Sequence, residues 1–211
     1  MNTPHHGPKL VILGRDGILN VFRDDHVKAP QEWIPIEGAL AAVARLNQAG
    51  WHAVLATNQS GIGRGLMDMS SLNAIHRHMM QLLAEKGGRI DAVFICPHAP
   101  GDACTCRKPL PGLMQQIALR YGIEHLSRVP MLCDTARDLQ AAQAAGCEPH
   151  VVRSGRAANL SDDEMALWTT GIDGVTVHDN LAAFADFLLH REHLAAGVVG
   201  EDSRPTPLAA S

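Results

Sequence analysis

The sequence contains no apolar stretch approaching the roughly 18 residues that a membrane span requires. It has no run of Lys or Arg that would form a basic stripe, and its formal net charge is −4. Nucleic-acid binding calls for the opposite sign, so neither nucleic acid nor membrane is expected as a partner. Met1 to Pro8 is polar, with no basic segment leading into an apolar core. The cytosol is therefore the expected compartment. His5 and His6 fall in this stretch and read as solvated residues of a frayed terminus, not as metal ligands. A full set of cysteine pairs is lacking too. There are five cysteines, and Cys96, Cys104 and Cys106 crowd into one short loop beside His98, which favours metal over disulfides.

What is present is enough for one domain. The chain has 211 residues, 46% hydrophobic and 19% charged, a length and balance that allow a buried α/β core. Short apolar runs at Lys9–Leu13, His52–Ala56, Ala92–Cys96, Val129–Cys133, His150–Val152 and Val175–Val177 read as buried strands. Between them, helical spacing marks Gly38–Ala49, a helix capped by Ser70 or Ser71 and reaching Lys86, and one from Pro111 to Tyr121. Further helices are expected through Leu139–Ala145, from Ser161, and over Asn180–His190. Met79 and Met80 read as core filler, and Cys147 as a small core residue. Alternating strands and helices imply a doubly wound parallel sheet of the Rossmann-like kind. The domain is expected over residues 9–192, with a flexible segment 1–8 and a disordered tail 193–211.

Cys96-Pro97-His98 and Cys104-Thr105-Cys106 set two pairs of soft ligands across a five-residue spacer. Three thiolates and one imidazole make a common structural zinc set, and four protein ligands leave no position for water. Zinc bound there is expected to hold the loop's shape.

Doubly wound sheets place ligand sites outside the carboxyl ends of their strands. At those ends stand Gly14-Arg15-Asp16-Gly17-Ile18-Leu19-Asn20, Thr57-Asn58-Gln59-Ser60-Gly61, Arg107-Lys108-Pro109 behind the metal loop, and Asp134-Thr135-Ala136-Arg137-Asp138. Together they supply carboxylates, a hydroxyl, amide donors and two cations, a set suited to a phosphate and a magnesium ion.

These stretches resemble the haloacid dehalogenase-like phosphatases, and within them the D-glycero-D-manno-heptose 1,7-bisphosphate 7-phosphatases. The likeness covers about residues 9–155. Its most specific parts are TNQSG with Arg64-Gly65, the loop CPHAPGDACTCRKPLPG, and the RDLQAA that follows Asp134. Histidinol-phosphate phosphatases share the zinc loop, but usually carry Asp where this chain has Ser60. The resemblance implies one domain without a separate cap, a magnesium-dependent hydrolase that works as a monomer, and a small phosphorylated sugar as substrate. It implies Asp16 as general acid and base, with its carbonyl on magnesium, and Asp134 as the magnesium carboxylate. Thr57 would bind the transferring phosphoryl group, with Asn58, Gln59 and Ser60 beside it. Lys108 would neutralise the reacting charge, Arg107 would reach the distal phosphate or sugar, and Asp138 would be a supporting acid.

One position departs from the pattern at the centre of the chemistry. The nucleophilic Asp that the resemblance requires is replaced by Gly14, which has no side chain to attack phosphorus or hold magnesium. Three accounts follow. Water could be activated by Asp16 directly, or with an acid from Asp24-Asp25-His26 standing in. The protein could be a non-catalytic binder of sugar phosphates. Gly14 could also be a single-base change from Asp. A smaller departure is Cys133 before Asp134, where Gly is usual; it reads as a small buried residue.

Overall fold

The computed structural model describes residues 8–197. Six strands form one wholly parallel sheet: β1 (Leu10–Leu13), β2 (His52–Asn58), β3 (Ala92–Cys96), β4 (Pro130–Cys133), β5 (Glu148–Val152) and β6 (Thr176–His178). The spatial order is β3-β2-β1-β4-β5-β6. All six expected strands are present, each within two residues of its expected start and end. Seven α-helices connect or flank them: α1 (Ala39–Gln48), α2 (Ser60–Gly63), α3 (Met69–Glu85), α4 (Gly112–Tyr121), α5 (Ala136–Ala145), α6 (Asp162–Thr169) and α7 (Leu181–Gly197).

The strands are apolar on both sides because both faces of the sheet are covered. Val11 and Leu13 of β1 and Ala53 and Leu55 of β2 point into one core, lined by α1, α3 and α7. Leu10, Ile12, Val54 and Ala56 alternate into the other core, with Leu113, Met114 and Ile117 of α4 and Leu139, Ala141 and Ala142 of α5. Each fully buried large aliphatic side chain contributes roughly 1.5–3 kcal/mol, so the two-sided strands anchor the domain. Met79 and Cys147 are buried, as expected of core residues.

Helix ends differ from expectation in two places. The cap of α3 is Asp68, whose carboxylate accepts the Ser71 N–H at 2.7 Å. An ionised acceptor at a helix N-terminus gains from the macrodipole, which a serine does not. The last helix starts one residue after Asn180, which accepts the Ala183 N–H, but it continues to Gly197 instead of stopping near His190. Nothing in the run Leu194-Ala195-Ala196 breaks a helix before that glycine. The expectations for residues 1–7 and 198–211, including His5 and His6, lie outside the described residues. Among the described residues, no helix is long and apolar enough to cross a membrane.

The order of strands reverses at β1, with β2 on one side and β4 on the other. The chain leaves the two central strands in opposite directions, which opens a crevice at their carboxyl ends. The loops after β1 and β5 meet in close contact. Ser154 Oγ donates to the Gly17 carbonyl at 2.6 Å, and Gly17 and Gly155 both have positive φ. A Cβ on Gly155 would lie 2.5 Å from Gly17 Cα and 2.5 Å from Asp134 Oδ2. The Gly155→Ala variant is therefore expected to lose about 1–3 kcal/mol, from steric overlap plus the unfavourable left-handed conformation. Urea unfolding monitored by circular dichroism checks this; an unchanged midpoint would show that the two loops are not in close contact.

Candidate active site

The crevice holds a cavity of about 120 Å³, and its walls include Gly14, Asp16, Thr57, Asn58, Gln59, Ser60, Arg107, Lys108, Asp134 and Asp138. The strand-end residues singled out from sequence thus face one another across a single cavity. It has room for a phosphate-sized group and a few waters.

At its base lies a buried charge cluster. Lys108 Nζ is 2.7 Å from Asp138 Oδ1 and donates to the Ala56 carbonyl at 2.9 Å. Burial opposes the ammonium, but the Asp138 charge and hydrogen bond outweigh it and raise the Lys108 pKa. Burial likewise opposes the Asp138 carboxylate, and the Lys108 charge overcomes it and lowers that pKa. Asp134 has the opposite fate. Burial first, and then the Asp138 charge, push its carboxyl well above the usual carboxylate range. One cation cannot balance two buried carboxylates. A divalent ion at Asp134 would offset the excess negative charge.

Asp16 is held differently. Arg15 Nη2 donates to both its oxygens, at 2.8 and 2.9 Å, Asn20 Nδ2 to Oδ1 at 3.0 Å and Gln59 Nε2 to Oδ2 at 3.0 Å. Burial works against the carboxylate, yet the Arg15 charge and these donors hold its pKa below the usual value. Arg15 is itself buried, and its Nη1 lies 3.4 Å from His76 Nε2 on α3. Burial, then the Arg15 charge, push the His76 pKa down to about 4, so its neutral ring accepts from the guanidinium. These contacts favour the carboxylate form of Asp16, and Arg15 has to be displaced before Asp16 can readily carry a proton.

The TNQSG segment is committed to internal contacts. Gln59 Nε2 also donates to Thr57 Oγ1 at 2.9 Å, orienting that buried hydroxyl. Asn58 Oδ1 accepts the Lys108 N–H and Asn58 Nδ2 donates to the Lys108 carbonyl, both at 3.2 Å. The Asn58 amide clamps the lysine's backbone in place.

Behind this wall, Cys96, His98, Cys104 and Cys106 bring their ligand atoms within 4.8 Å of one another. Cys96 Sγ lies 3.5 Å from His98 Nδ1 and 4.0 Å from Cys104 Sγ, and His98 Nδ1 lies 3.3 Å from Cys106 Sγ. A tetrahedron with zinc–ligand bonds of about 2.0–2.3 Å has edges of about 3.5–3.8 Å, close to these separations. Burial, and then the Cys106 contact, push the metal-free Cys96 thiol up to about 12. The cluster can hold a metal ion, and all five cysteines of the chain are free. The loop is seated by Gln59 N–H to the Cys96 carbonyl and Gly63 N–H to the Pro97 carbonyl. A Cβ on Gly63 would fall 2.5 Å from Ala99 N.

The acids suggested as stand-ins divide. Asp25 pairs with Arg23 and Lys28, while Asp24 and His26 line the cavity. Cys133 is fully buried in the core, its thiol pushed well above its ordinary value by burial, as expected of an inert core residue. Arg15, Asn20, His76, Phe22 and Arg156 were not assigned from sequence, although Arg15 and Asn20 lie inside the first strand-end stretch.

This crevice on this sheet is that of a haloacid dehalogenase-like hydrolase, and the chain belongs to that family of phosphatases. A family model described as HAD-hydrolase-like matches residues 105–183. The chain is 50% identical to the D-glycero-beta-D-manno-heptose-1,7-bisphosphate 7-phosphatase of Bordetella bronchiseptica, over 86% of this chain and 98% of that one. It is 43% identical to the enzyme of the same name from Pseudomonas aeruginosa, over 85% and 97%. Among solved structures, the B. bronchiseptica D,D-heptose 1,7-bisphosphate phosphatase complexed with magnesium and phosphate superposes with a TM-score of 0.81, covering 87% of this chain and 99% of that one at 50% identity. The corresponding phosphatase from Burkholderia thailandensis gives a TM-score of 0.64 at 44% identity, over 85% and 98%.

The charge cluster has a measurable consequence. The Asp134 pKa is raised on folding, so any stability from its proton is present at acidic pH and lost as pH rises through the raised value. Asp138 acts in the opposite sense, contributing above the usual carboxylate range and losing its contribution on acidification. Asp134→Asn removes the first effect, and the metal-free variant should be more stable than wild type at neutral pH. Denaturant midpoints from pH 5 to 8 test this; a variant less stable than wild type at pH 7 would contradict the assignment.

Proposed function

We propose that the protein is a phosphomonoester hydrolase of the heptose bisphosphate 7-phosphatase type, which binds a sugar bisphosphate in this crevice and turns it over slowly. The observation that carries the reading is the convergence of Lys108, Thr57 and Asp134 on one cavity. Lys108 and Thr57 would hold the transferring phosphoryl group, Arg107 the remainder of the sugar phosphate, and Gln59 and Ser60 the cavity's outline. Asn58 would act by positioning Lys108. Magnesium fits the donors present: Asp134 supplies one carboxylate and Asp16 its carbonyl, and such ions commonly take the rest from water and phosphate. When bound it would neutralise phosphoryl charge. Zinc fits the Cys96, His98, Cys104, Cys106 set by donor chemistry and spacing, and would fix the loop carrying Arg107 and Lys108. The substrate is a small molecule, the protein works as a cytosolic monomer, and the single domain spans residues 9–192 with α7 extending past it.

Gly14 decides the rate. Without a carboxylate there, no aspartyl-phosphate can form. The remaining route is attack by water, with the P–O bond to water forming, the P–O bond to the sugar breaking, and Asp16 taking the water's proton while solvent protonates the leaving oxygen. Loss of a covalent nucleophile costs on the order of 10⁶-fold in hydrolase precedents. The Arg15–Asp16 pair also favours a second reading, a non-catalytic sugar-phosphate binder, because it withholds the proton a leaving group needs.

The position itself tolerates a side chain. A Cβ on Gly14 would come within 3.0 Å of the Ile18 Cδ1 end alone, at 2.9 Å, so that flexible end must shift, and the Gly14 φ is not positive. Gly14→Asp should fold and raise hydrolysis of heptose 1,7-bisphosphate by several orders of magnitude. If wild type and Gly14→Asp hydrolyse it equally slowly, the phosphatase reading fails. If wild type is already fast and Asp16→Asn abolishes it, water activation by Asp16 is the mechanism. Purified protein is expected to carry about one zinc per chain by metal analysis, and Cys104→Ser to lose it. A zinc-free preparation that keeps the same loop protection in hydrogen exchange would refute the structural role.

A further inference from the structure

The cavity wall carries six Arg or Lys side chains, and they fall into two groups. Arg15, Arg23 and Lys108 are each paired with a carboxylate: Asp16, Asp25 and Asp138. Among the described residues, Arg107, Arg137 and Arg156 have no carboxylate within ion-pair distance. Of these three, Arg156 is held in a way that suits a specific ligand. Its guanidinium carbon lies 4.2 Å from the centroid of the Phe22 ring, which itself lines the cavity. Stacking fixes one face of the guanidinium and leaves its in-plane N–H groups unspent. Its backbone N–H also points to Asp134 Oδ2 at 3.4 Å, and the loop beneath it is seated on Gly17 through Ser154 and Gly155. The arginine therefore starts beside the Asp134 carboxyl and extends outward to the ring that follows β1.

We propose that the Arg156–Phe22 pair is a specificity element for a second anionic group, phosphate or carboxylate, on the end of the substrate away from the reacting phosphoryl group. This rests on the reading that the inner cavity holds a phosphate. An exposed, unneutralised arginine beside a phosphate-sized cavity attracts anions in any orientation it can reach. Held over the Phe22 ring, it is restricted in orientation and keeps its N–H groups for an oxyanion. Phe22 comes from the loop after β1 and Arg156 from the loop after β5, whereas Arg107 follows the metal loop on the β3 side. A ligand anchored at Lys108 would have a guanidinium on each flank, and the one on the β5 side is held in a fixed orientation.

The test is calorimetric binding in magnesium buffer of inorganic phosphate, a hexose monophosphate and a hexose bisphosphate. The proteins are wild type, Arg156→Met, Phe22→Leu and Arg64→Met, the last removing an exposed arginine outside the cavity wall. Wild type should prefer the bisphosphate. Arg156→Met should weaken the bisphosphate about tenfold or more, the worth of a charge-assisted contact, while phosphate and monophosphate stay within about twofold. Phe22→Leu should shift the same preference in the same direction with no change of charge, and Arg64→Met should leave it intact. An equal loss for all three ligands in Arg156→Met, or no loss for any, would overturn the inference while leaving the cavity reading in place. Failure of wild type to bind inorganic phosphate would overturn both.

Discussion

A buried ammonium has to find a carboxylate, and the way Lys108 finds Asp138 sets the geometry of the rest of the site. The 2.7 Å contact ties the segment behind the metal loop to the first turn of α5, and the bond to the Ala56 carbonyl ties both to β2. Removing one member of such a pair typically costs about 3–5 kcal/mol, because the other is left charged and dry. Asn58 then fixes the lysine's backbone, and Gln59 links Thr57 to Asp16. The four strand ends act as one unit because their polar groups satisfy one another. Asp134 is the exception. It has no cation of its own and is driven toward its neutral form, so the unliganded site is held at a cost that a positive charge would relieve.

Gly14 leaves this arrangement standing because none of these contacts passes through a side chain at that position. Its effect is local and chemical. The neighbouring Arg15 turns its Nε and Nη2 groups onto Asp16, with Asn20 and Gln59 completing the shell. The cavity therefore keeps the hydroxyl, the ammonium and the carboxylates proposed to bind a phosphoryl group, while Asp16 is held toward the form that has no proton to donate. On the proposed reading, binding and bond cleavage rest on different residues, and Gly14 separates them.

Much of the fold could be read from the chain because parallel strands buried on both faces leave short apolar runs, and each of the six was found within two residues of its bounds. The Cys/His cluster was legible because its four residues lie within eleven positions, so local spacing alone brings them together. Pairing through space was not legible. Nothing in the sequence joins Phe22 to Arg156, or Arg15 to His76 on α3, because those partners meet only after the sheet has formed. Asn58 shows a related gap. Its place beside Thr57 suggested a substrate ligand, and only the fold reveals that both ends of its amide are spent on Lys108. The Asp68 cap and the run of α7 to Gly197 were missed because several residues there suit the same role equally well.

The central claim is that the phosphate-binding set is intact although the nucleophile is absent. The most direct measurement is calorimetric titration of the zinc-loaded protein with inorganic phosphate, with and without magnesium, comparing wild type with Thr57→Val. Saturable binding at one site, strengthened by magnesium and weakened about tenfold by the loss of the hydroxyl, is the predicted result. Phosphate binding that is absent, or unchanged in Thr57→Val and indifferent to magnesium, would contradict it.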